Sequence, residues 1–241
     1  MLTYFIADLH LAENRPDITA CFLSFLADEA PKSEKLYILG DLFELWIGDD
    51  NHTAFHQTIA NAIASLTNQG TEVFFIHGNR DFLVGKKFAK QAGMTLLPEK
   101  TIIDLYGEKA LIMHGDTLCT QDVSYQKFRK MSRSWWWKMA MLAMPLSYRR
   151  NKAKQIQTIS AEQKSNKSLE IMDVTPEEVV NDLERYQCQL LIHGHTHRPN
   201  VHKHKANGAP ATRFVLGDWY EQGAWLKVTP SSKELLNQPF E

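Results

Sequence analysis

The chain has 241 residues, with 27 Lys or Arg against 28 Asp or Glu and a net charge of −1. That length supports one large domain or two small ones with a sizeable core. Near-neutrality leaves no whole-chain field to steer a charged partner, and a nucleic-acid enzyme would spread basic residues more widely than this sequence does. Three cysteines without C-x-x-C spacing argue against a disulfide framework and fit a reducing compartment.

The opening "MLTYFIADLHLAENRPD" has no basic n-region, and Asp8 and His10 interrupt its apolar run, so no signal peptide is expected. No window reaches the ~20 apolar residues of a spanning helix. "LTYFIADLH" predicts a strand ending at Asp8. "ITACFLSFLADEA" has apolar residues at helical spacing. "KLYILGD" predicts a second buried strand. "HQTIANAIASLTNQG" predicts a helix closed by Gly70, a good residue just past a helix end. "TEVFFIHGNRD" predicts a third strand, and "GKKFAKQAG" a short helix closed by Gly93. "KTIIDLYGEKALIMHGD" reads as a hairpin turning near Gly107.

The pattern then changes. Residues 120–172 have helical propensity, are rich in Lys, Arg, Met and Trp, and contain no strand-like run. Within them, residues 127–170 carry 11 Lys or Arg against 2 Asp or Glu, a net of +9, which leaves −10 for the rest of the chain. A basic segment in an acidic body suggests an anionic ligand or surface. "DVTPEEVVNDLERYQ" next predicts a helix with Thr175 as N-cap, Pro176 at the first position and Glu178 completing a capping box. "QLLIHGHTH", "TRFVLGDW" and "GAWLKVTP" predict closing strands. The β-α-β-α-β opening argues for parallel strands with helices on the sheet faces.

Five of these strands end in polar tips: "ADLH" (Asp8, His10), "GDLFE" (Asp41), "GNRD" (Asn79), "HGD" (His114) and "GHTH" (His195, His197). Each alone is a weak signal. Together, in this order and with glycine allowing close backbone approach, they are specific. Ligands of open α/β sheets gather at such strand ends. Asp, His and Asn offer oxygen and nitrogen donors without thiolate, which suits Mn²⁺, Fe²⁺ or Zn²⁺. Asp8 and His10 on one strand end would point to opposite faces, so the chain must bend at residue 9 for them to share an ion.

The order D-x-H, G-D, G-N-x-D, H-G-D, G-H-x-H resembles that of the calcineurin-like metallophosphoesterases, over nearly the whole chain outside the basic segment. The resemblance implies an α/β fold, a four-layer αββα sandwich of two packed sheets between helices, with an inserted helical cap. The core is expected at 1–119 and 173–241 and the cap at 120–172. The resemblance further implies that Asp8, His10 and His197 bind a first metal and Asn79, His114 and His195 a second. Asp41 would bridge them, and a hydroxide between the metals would be the nucleophile.

One position departs from the family pattern. Many relatives carry a histidine after G-N that protonates the leaving oxygen; here Arg80 stands there. Arginine stays charged at any working pH and cannot be that acid, but it can clamp a phosphate and stabilise developing charge. An alkoxide leaving group needs a proton, whereas a phosphate monoester, with a second pKa of ~6, does not. Arg80 therefore tilts the expectation toward pyrophosphates.

The stretches "GDLFELWIGDD", "HGNRDFLVGKKFA", "LIMHGDTLCTQD" and "IHGHTHRP" resemble one branch of the family along the full chain. That resemblance implies two Mn²⁺ per chain, a nucleotide-linked glycolipid substrate cleaved at its pyrophosphate beside the nucleoside, and peripheral attachment to the cytoplasmic face of the bacterial inner membrane. It implies that Asn79, Arg80, Asp122, Ser160, Lys164, Lys167 and His195 hold the polar head. Tyr125, one helical turn from Asp122, joins them.

"SWWWKMAMLAMPLSYRRNKAK" can be weighed on its own. A helical cap packed on the core with a solvated basic face is one reading. A cap that holds acyl chains or touches an anionic membrane is the other. Trp suits the membrane interface, Met suits adaptable apolar surfaces, and each Lys or Arg near anionic lipid is worth ~1 kcal/mol. Lys164 and Lys167 fall on one helix face, which both readings allow. Trp46 fits either ring stacking or the core. His52, His56, His202 and His204 are expected at the surface, with no role. No obligate protein partner is expected. A soluble phosphoesterase acting on another phosphoester or nucleotide is the competing expectation. A non-catalytic scaffold is disfavoured because all seven ligand positions are filled.

Overall fold

The computed structural model describes residues 1–166 and 173–240, with side chains in the helix ending at Asn166 described through Ile156. The first half of the chain runs β1 (Thr3–Ile6), α1 (Pro16–Ser24), β2 (Lys35–Ile38), α2 (Ala54–Asn68), β3 (Glu72–Phe75), α3 (Lys86–Gln91) and β4 (Met94–Leu96). It continues through the hairpin β5 (Lys100–Leu105) and β6 (Glu108–Met113). Three helices follow, α4 (Val123–Ser132), α5 (Trp135–Ala143) and α6 (Leu146–Asn166), and then α7 (Pro176–Arg185). The chain closes with β7 (Leu190–His193), β8 (Asn200–Ala206), β9 (Ala209–Val215), β10 (Gln222–Val228) and β11 (Lys233–Pro239).

Two sheets result, ordered β11-β10-β1-β2-β3-β4 and β5-β6-β7-β9-β8. The alternation of side chains along buried strands sets the layers. Phe5, Tyr37, Ile112, Leu190 and Ile192 meet between the sheets. Tyr4, Ile6, Leu36 and Ile38 face the other way, into a core with residues of α1, α2 and α3. Leu111, Met113 and Leu191 face Val179 and Leu183 of α7. Helices, sheet, sheet and helix make the four-layer αββα sandwich, with α4–α6 as the inserted cap. Each fully buried Leu, Ile or Phe contributes roughly 1.5–3 kcal/mol, so the three cores dominate stability. Among the described residues no helix is long and apolar enough to cross a membrane.

Several elements differ from the sequence reading. β4, β8 and β11 were not expected. β4 has three residues and exists by pairing with β3. β8 and β11 are largely exposed and polar, and their antiparallel partners β9 and β10 hold them in place. Thr175 is the N-cap of α7 but makes no capping box; its hydroxyl is engaged with the hydroxyl of Thr120 at 2.7 Å. His56 is buried, not at the surface, and its ring accepts the Thr53 N–H in a capping box that starts α2. Trp46 is a core residue that donates its indole N–H to Asp49 at 3.1 Å.

Arginines hold the cap to the core, Arg149 and Arg133 among them. The buried Arg149 of α6 donates to Asp50 and to the carbonyl of Ile47. Arg133, just past α4, donates to the carbonyl of Gly78 at 2.8 Å and lies over the Phe82 ring.

Candidate functional site

The strands β1, β2, β3, β6 and β7 all deliver their C-terminal ends to one place. The bend expected at residue 9 is made by left-handed backbone on either side of the buried Leu9, with φ of 56° at Asp8 and 52° at His10. Asp41 (52°), His195 (73°) and His197 (55°) share that conformation. Non-glycine residues rarely adopt it, and such strain clusters at functional sites. Hydrogen bonds impose it here: His10 N–H donates to the carbonyl of Asp41 at 2.9 Å, and His195 N–H to Asp8 Oδ2 at 2.7 Å. Gly78 and Gly194 have no room for a Cβ, which would collide with the carboxylates of Asp41 and Asp8.

Donor atoms converge in two groups. In the first, His10 Nε2 lies 3.4 Å from His197 Nε2 and 3.8 Å from Asp41 Oδ2, and His197 Nε2 lies 3.5 Å from Asp8 Oδ1. In the second, Asn79 Oδ1 lies 2.9 Å from both His114 Nε2 and His195 Nδ1, and His114 Nε2 lies 3.8 Å from Asp41 Oδ1. Asp41 turns one oxygen to each group. Ligands about 2.0–2.2 Å from a shared cation sit roughly 3–4 Å from one another, so both groups fit an ion. Asp8 Oδ1 is buried without a hydrogen-bond partner among the described residues, an oxygen that a cation would satisfy.

The far nitrogens of three histidines are occupied. His10 Nδ1 is held by Glu44 Oε2 at 2.8 Å, His197 Nδ1 by Asp218 Oδ2 at 3.0 Å, and His114 Nδ1 by the carbonyl of Leu39 at 2.8 Å. Each bond places a proton on Nδ1 and aims Nε2 into the cluster.

The electrostatics are those of a site lacking positive charge. Burial works against the carboxylate of Asp8, but His197, His114 and His10 outweigh it and hold its pKa well below the usual range. Burial also opposes the charge on His197, yet Asp218 and Asp8 push it up to about 10. His114 is likewise raised, against burial, by Asp41, Asp8 and Asp116. Burial, then the neighbouring His114, pulls His195 down to about 3. Without a cation, the proton held on His197 offsets part of the charge of the carboxylates.

The remaining expected residues are placed as follows. Arg80 borders the cluster: its N–H donates to Asp41 Oδ1 at 2.8 Å and its guanidinium lies 3.8 Å from Glu44, with Nε buried and unpartnered among the described residues. Asp122 is the N-cap of α4 and accepts the N–H of Tyr125 at 3.0 Å. Tyr125 stacks along His195 with centroids 6.1 Å apart and donates its hydroxyl to Asp116 at 2.7 Å. Ser160 and Lys164 lie on the last turns of α6, where only the backbone is described, and Lys167 lies outside the described residues.

The sequence reading missed the supporting carboxylates. Glu44 and Asp218 orient histidines. Asp81 is buried and accepts N–H groups of Gly78 (2.9 Å), Leu42 (2.7 Å) and Asp41 (3.3 Å). Asp116 is buried and takes Tyr125, Arg129 and Arg133 of the cap. All four stand within or beside the strand-tip motifs, as in "GDLFE", "GNRD", "HGD" and "LGDW", and that proximity was the available signal.

Fold and donor cluster together define a metal-dependent phosphoesterase. The chain belongs to the calcineurin-like phosphoesterases, whose family profile matches residues 1–199. It is a hydrolase of the kind that works with a pair of metal ions. Among its relatives, UDP-2,3-diacylglucosamine hydrolase of Escherichia coli O139:H28 is 54% identical over 240 residues, covering 100% of both chains. The hydrolase of that name from Salmonella arizonae matches at the same identity and coverage.

Proposed function

We propose that this protein hydrolyses the pyrophosphate bond of UDP-2,3-diacylglucosamine, a nucleotide-linked glycolipid, giving UMP and 2,3-diacylglucosamine 1-phosphate. The observation that carries this reading is the 54% identity with UDP-2,3-diacylglucosamine hydrolases, because the match spans the full length of both chains, cap included. Water adds to the α-phosphorus, the bond from that phosphorus to the bridging oxygen breaks, and the sugar phosphate departs with that oxygen.

In this reading Asp8, His10 and His197 hold one cation, and Asn79, His114 and His195 hold the other. Asp41 would be the ligand common to both. Mn²⁺ is the proposed resident ion, on the nitrogen and oxygen donor set. When bound, the ions supply Lewis-acid polarisation and an activated water. Glu44, Asp218 and the Leu39 carbonyl keep the imidazoles pointed inward. Arg80 binds the phosphoryl oxygens and stabilises charge as it grows on the bridging oxygen; the departing phosphate needs no proton. Asn79, Arg80, Asp122, Tyr125, Ser160, Lys164, Lys167 and His195 form the site for the polar head.

Residues 120–172 act as the lipid-reading cap on a core of 1–119 and 173–241. Helix α5 has no buried residue, and Trp135, Trp136 and Met139 are 74%, 52% and 65% exposed. An apolar face of that size needs a partner. With Arg150 and Lys152 nearby it suits acyl chains and an anionic leaflet, which supports peripheral attachment; the proposed location is the cytoplasmic face of the inner membrane.

The test is hydrolysis of UDP-2,3-diacylglucosamine with Mn²⁺ in detergent, beside its deacylated analogue UDP-glucosamine. Fast release of UMP from the first alone is expected. Equal cleavage of both would reduce the cap to a structural element. Cleavage of neither would overturn the reading in favour of another phosphoester or nucleotide.

A further inference from the structure

A second, smaller site lies behind the loop that carries His195 and His197. A cavity of about 190 Å³ opens between Asp173, Thr196, Arg198, Asn200, His202 and Arg213, and no residue of the donor cluster lines it. A single water needs about 10–15 Å³ of such space, so the cavity has room for a small anion with its waters.

Arg213 is the unusual wall. It sits mid-strand on β9, paired across to Leu191 and His202, and is 6% exposed. Its Nε and Nη1 are buried and find no hydrogen-bond partner among the described residues. A guanidinium does not shed its proton to escape burial, and a buried charge needs a partner.

The described neighbours do not supply one. Asp173 Oδ2 accepts from Arg198 Nη1 at 2.7 Å, and its Oδ1 takes the N–H of Val174 at 2.7 Å. Both oxygens of that carboxylate are thus engaged by groups other than Arg213. The Cys119 thiol beside Arg213 is pushed up to about 12, chiefly by burial, so it carries no charge at neutral pH. His202, drawn down by burial and by Arg213, is not a counter-charge either.

We propose that this cavity is a binding site for a small tetrahedral oxyanion, inorganic phosphate in particular. Arg213 donates its unpartnered N–H groups to the anion, Arg198 adds charge from the rim, and the Thr196 hydroxyl and Asn200 amide supply neutral donors. Charge-assisted bonds from a planar guanidinium match phosphate oxygens. Because Thr196 stands between His195 and His197, the anion ties the metal-binding loop to β9.

The test is calorimetric titration of inorganic phosphate into the full chain after chelation of metal, so that metal-held phosphate is absent. Four proteins are compared: the unaltered chain, Arg213→Met, Thr196→Val and Arg80→Ala. The unaltered chain is expected to bind one phosphate, and Arg80→Ala to bind it equally well. Arg213→Met is expected to weaken binding at least tenfold. Should that variant fail to fold, Thr196→Val decides, with an expected several-fold weakening. No binding to the unaltered chain at tens of millimolar phosphate would overturn the proposal. So would loss of binding in Arg80→Ala, or unchanged affinity in both cavity variants.

Discussion

Glu44 grips His10 from behind: its Oε2 lies 2.8 Å from Nδ1, while Nε2 of the same ring faces the donor cluster. The carboxylate therefore chooses the tautomer and the ring angle. Removing it frees the ring without deleting a donor. Glu44→Ala is expected to lower metal affinity and turnover by about 10- to 100-fold, the usual cost of losing such a support. Metal content after dialysis, read beside the turnover number, checks it; full metal occupancy with normal turnover would contradict the orienting role.

Asp41 turns Oδ2 toward His10 and Oδ1 toward His114, at 3.8 Å each. Asp41→Ala is expected to abolish turnover. Activity within about tenfold of the unaltered enzyme would rule out the bridging role.

Arg80 keeps a buried Nε without a partner among the described residues, beside the cluster and on the side of Glu44. Its charge is used most when the bridging oxygen takes up negative charge. Arg80→Ala is therefore expected to lower kcat more than it raises KM. A steady-state comparison settles it, and an effect confined to KM would refute the assignment.

In the metal-free protein His197 holds its proton up to about 10, with burial opposed by Asp218 and Asp8. A cation must displace that proton. Below the folded pKa, each displaced proton makes apparent affinity rise about tenfold per pH unit. Mn²⁺ competition with a chromophoric chelator at pH 6.5, 7.5 and 8.5 is expected to show that rise. Asp218→Asn should flatten it, because the raised pKa depends on that carboxylate. A flat profile in the unaltered protein would show that no proton is displaced.

Asp81 holds the β2 and β3 loops together through backbone N–H groups of Gly78, Leu42 and Asp41. Each buried N–H left unpaired costs ~1–3 kcal/mol. Asp81→Ala is expected to destabilise the fold by about 3 kcal/mol or more, roughly a 10 °C fall in Tm for a domain this long. Asp81→Asn keeps one acceptor and should lose less. Thermal unfolding with metal absent separates this from any loss of ions.

The five strand tips were readable because each follows an apolar run and carries donor residues, in four of the five beside a glycine. The buried strands β1, β2, β3, β6 and β7 announce themselves by composition. The edge strands β8 and β11 do not, since exposure leaves them polar and only their neighbours' hydrogen bonds make them strands. Thr175 looked like a capping residue because local pattern cannot see Thr120, 55 residues away in sequence. Trp46 stayed ambiguous, and His56 was wrongly expected at the surface, for the same reason.

Residue type and order by themselves determined which chemistry the strand ends offer: hard and borderline donors in a fixed succession, with arginine where an acid is usual. Only the tertiary structure decided which atoms meet. His10 and His197 are 187 residues apart along the chain, and their Nε2 atoms face each other because left-handed backbone at both turns them inward. The split of Asp41 between two groups and the two Arg213 nitrogens without a partner among the described residues were equally invisible. Periodicity and propensity are local, whereas a donor cluster and a buried charge are defined by what distant segments bring within a few ångströms.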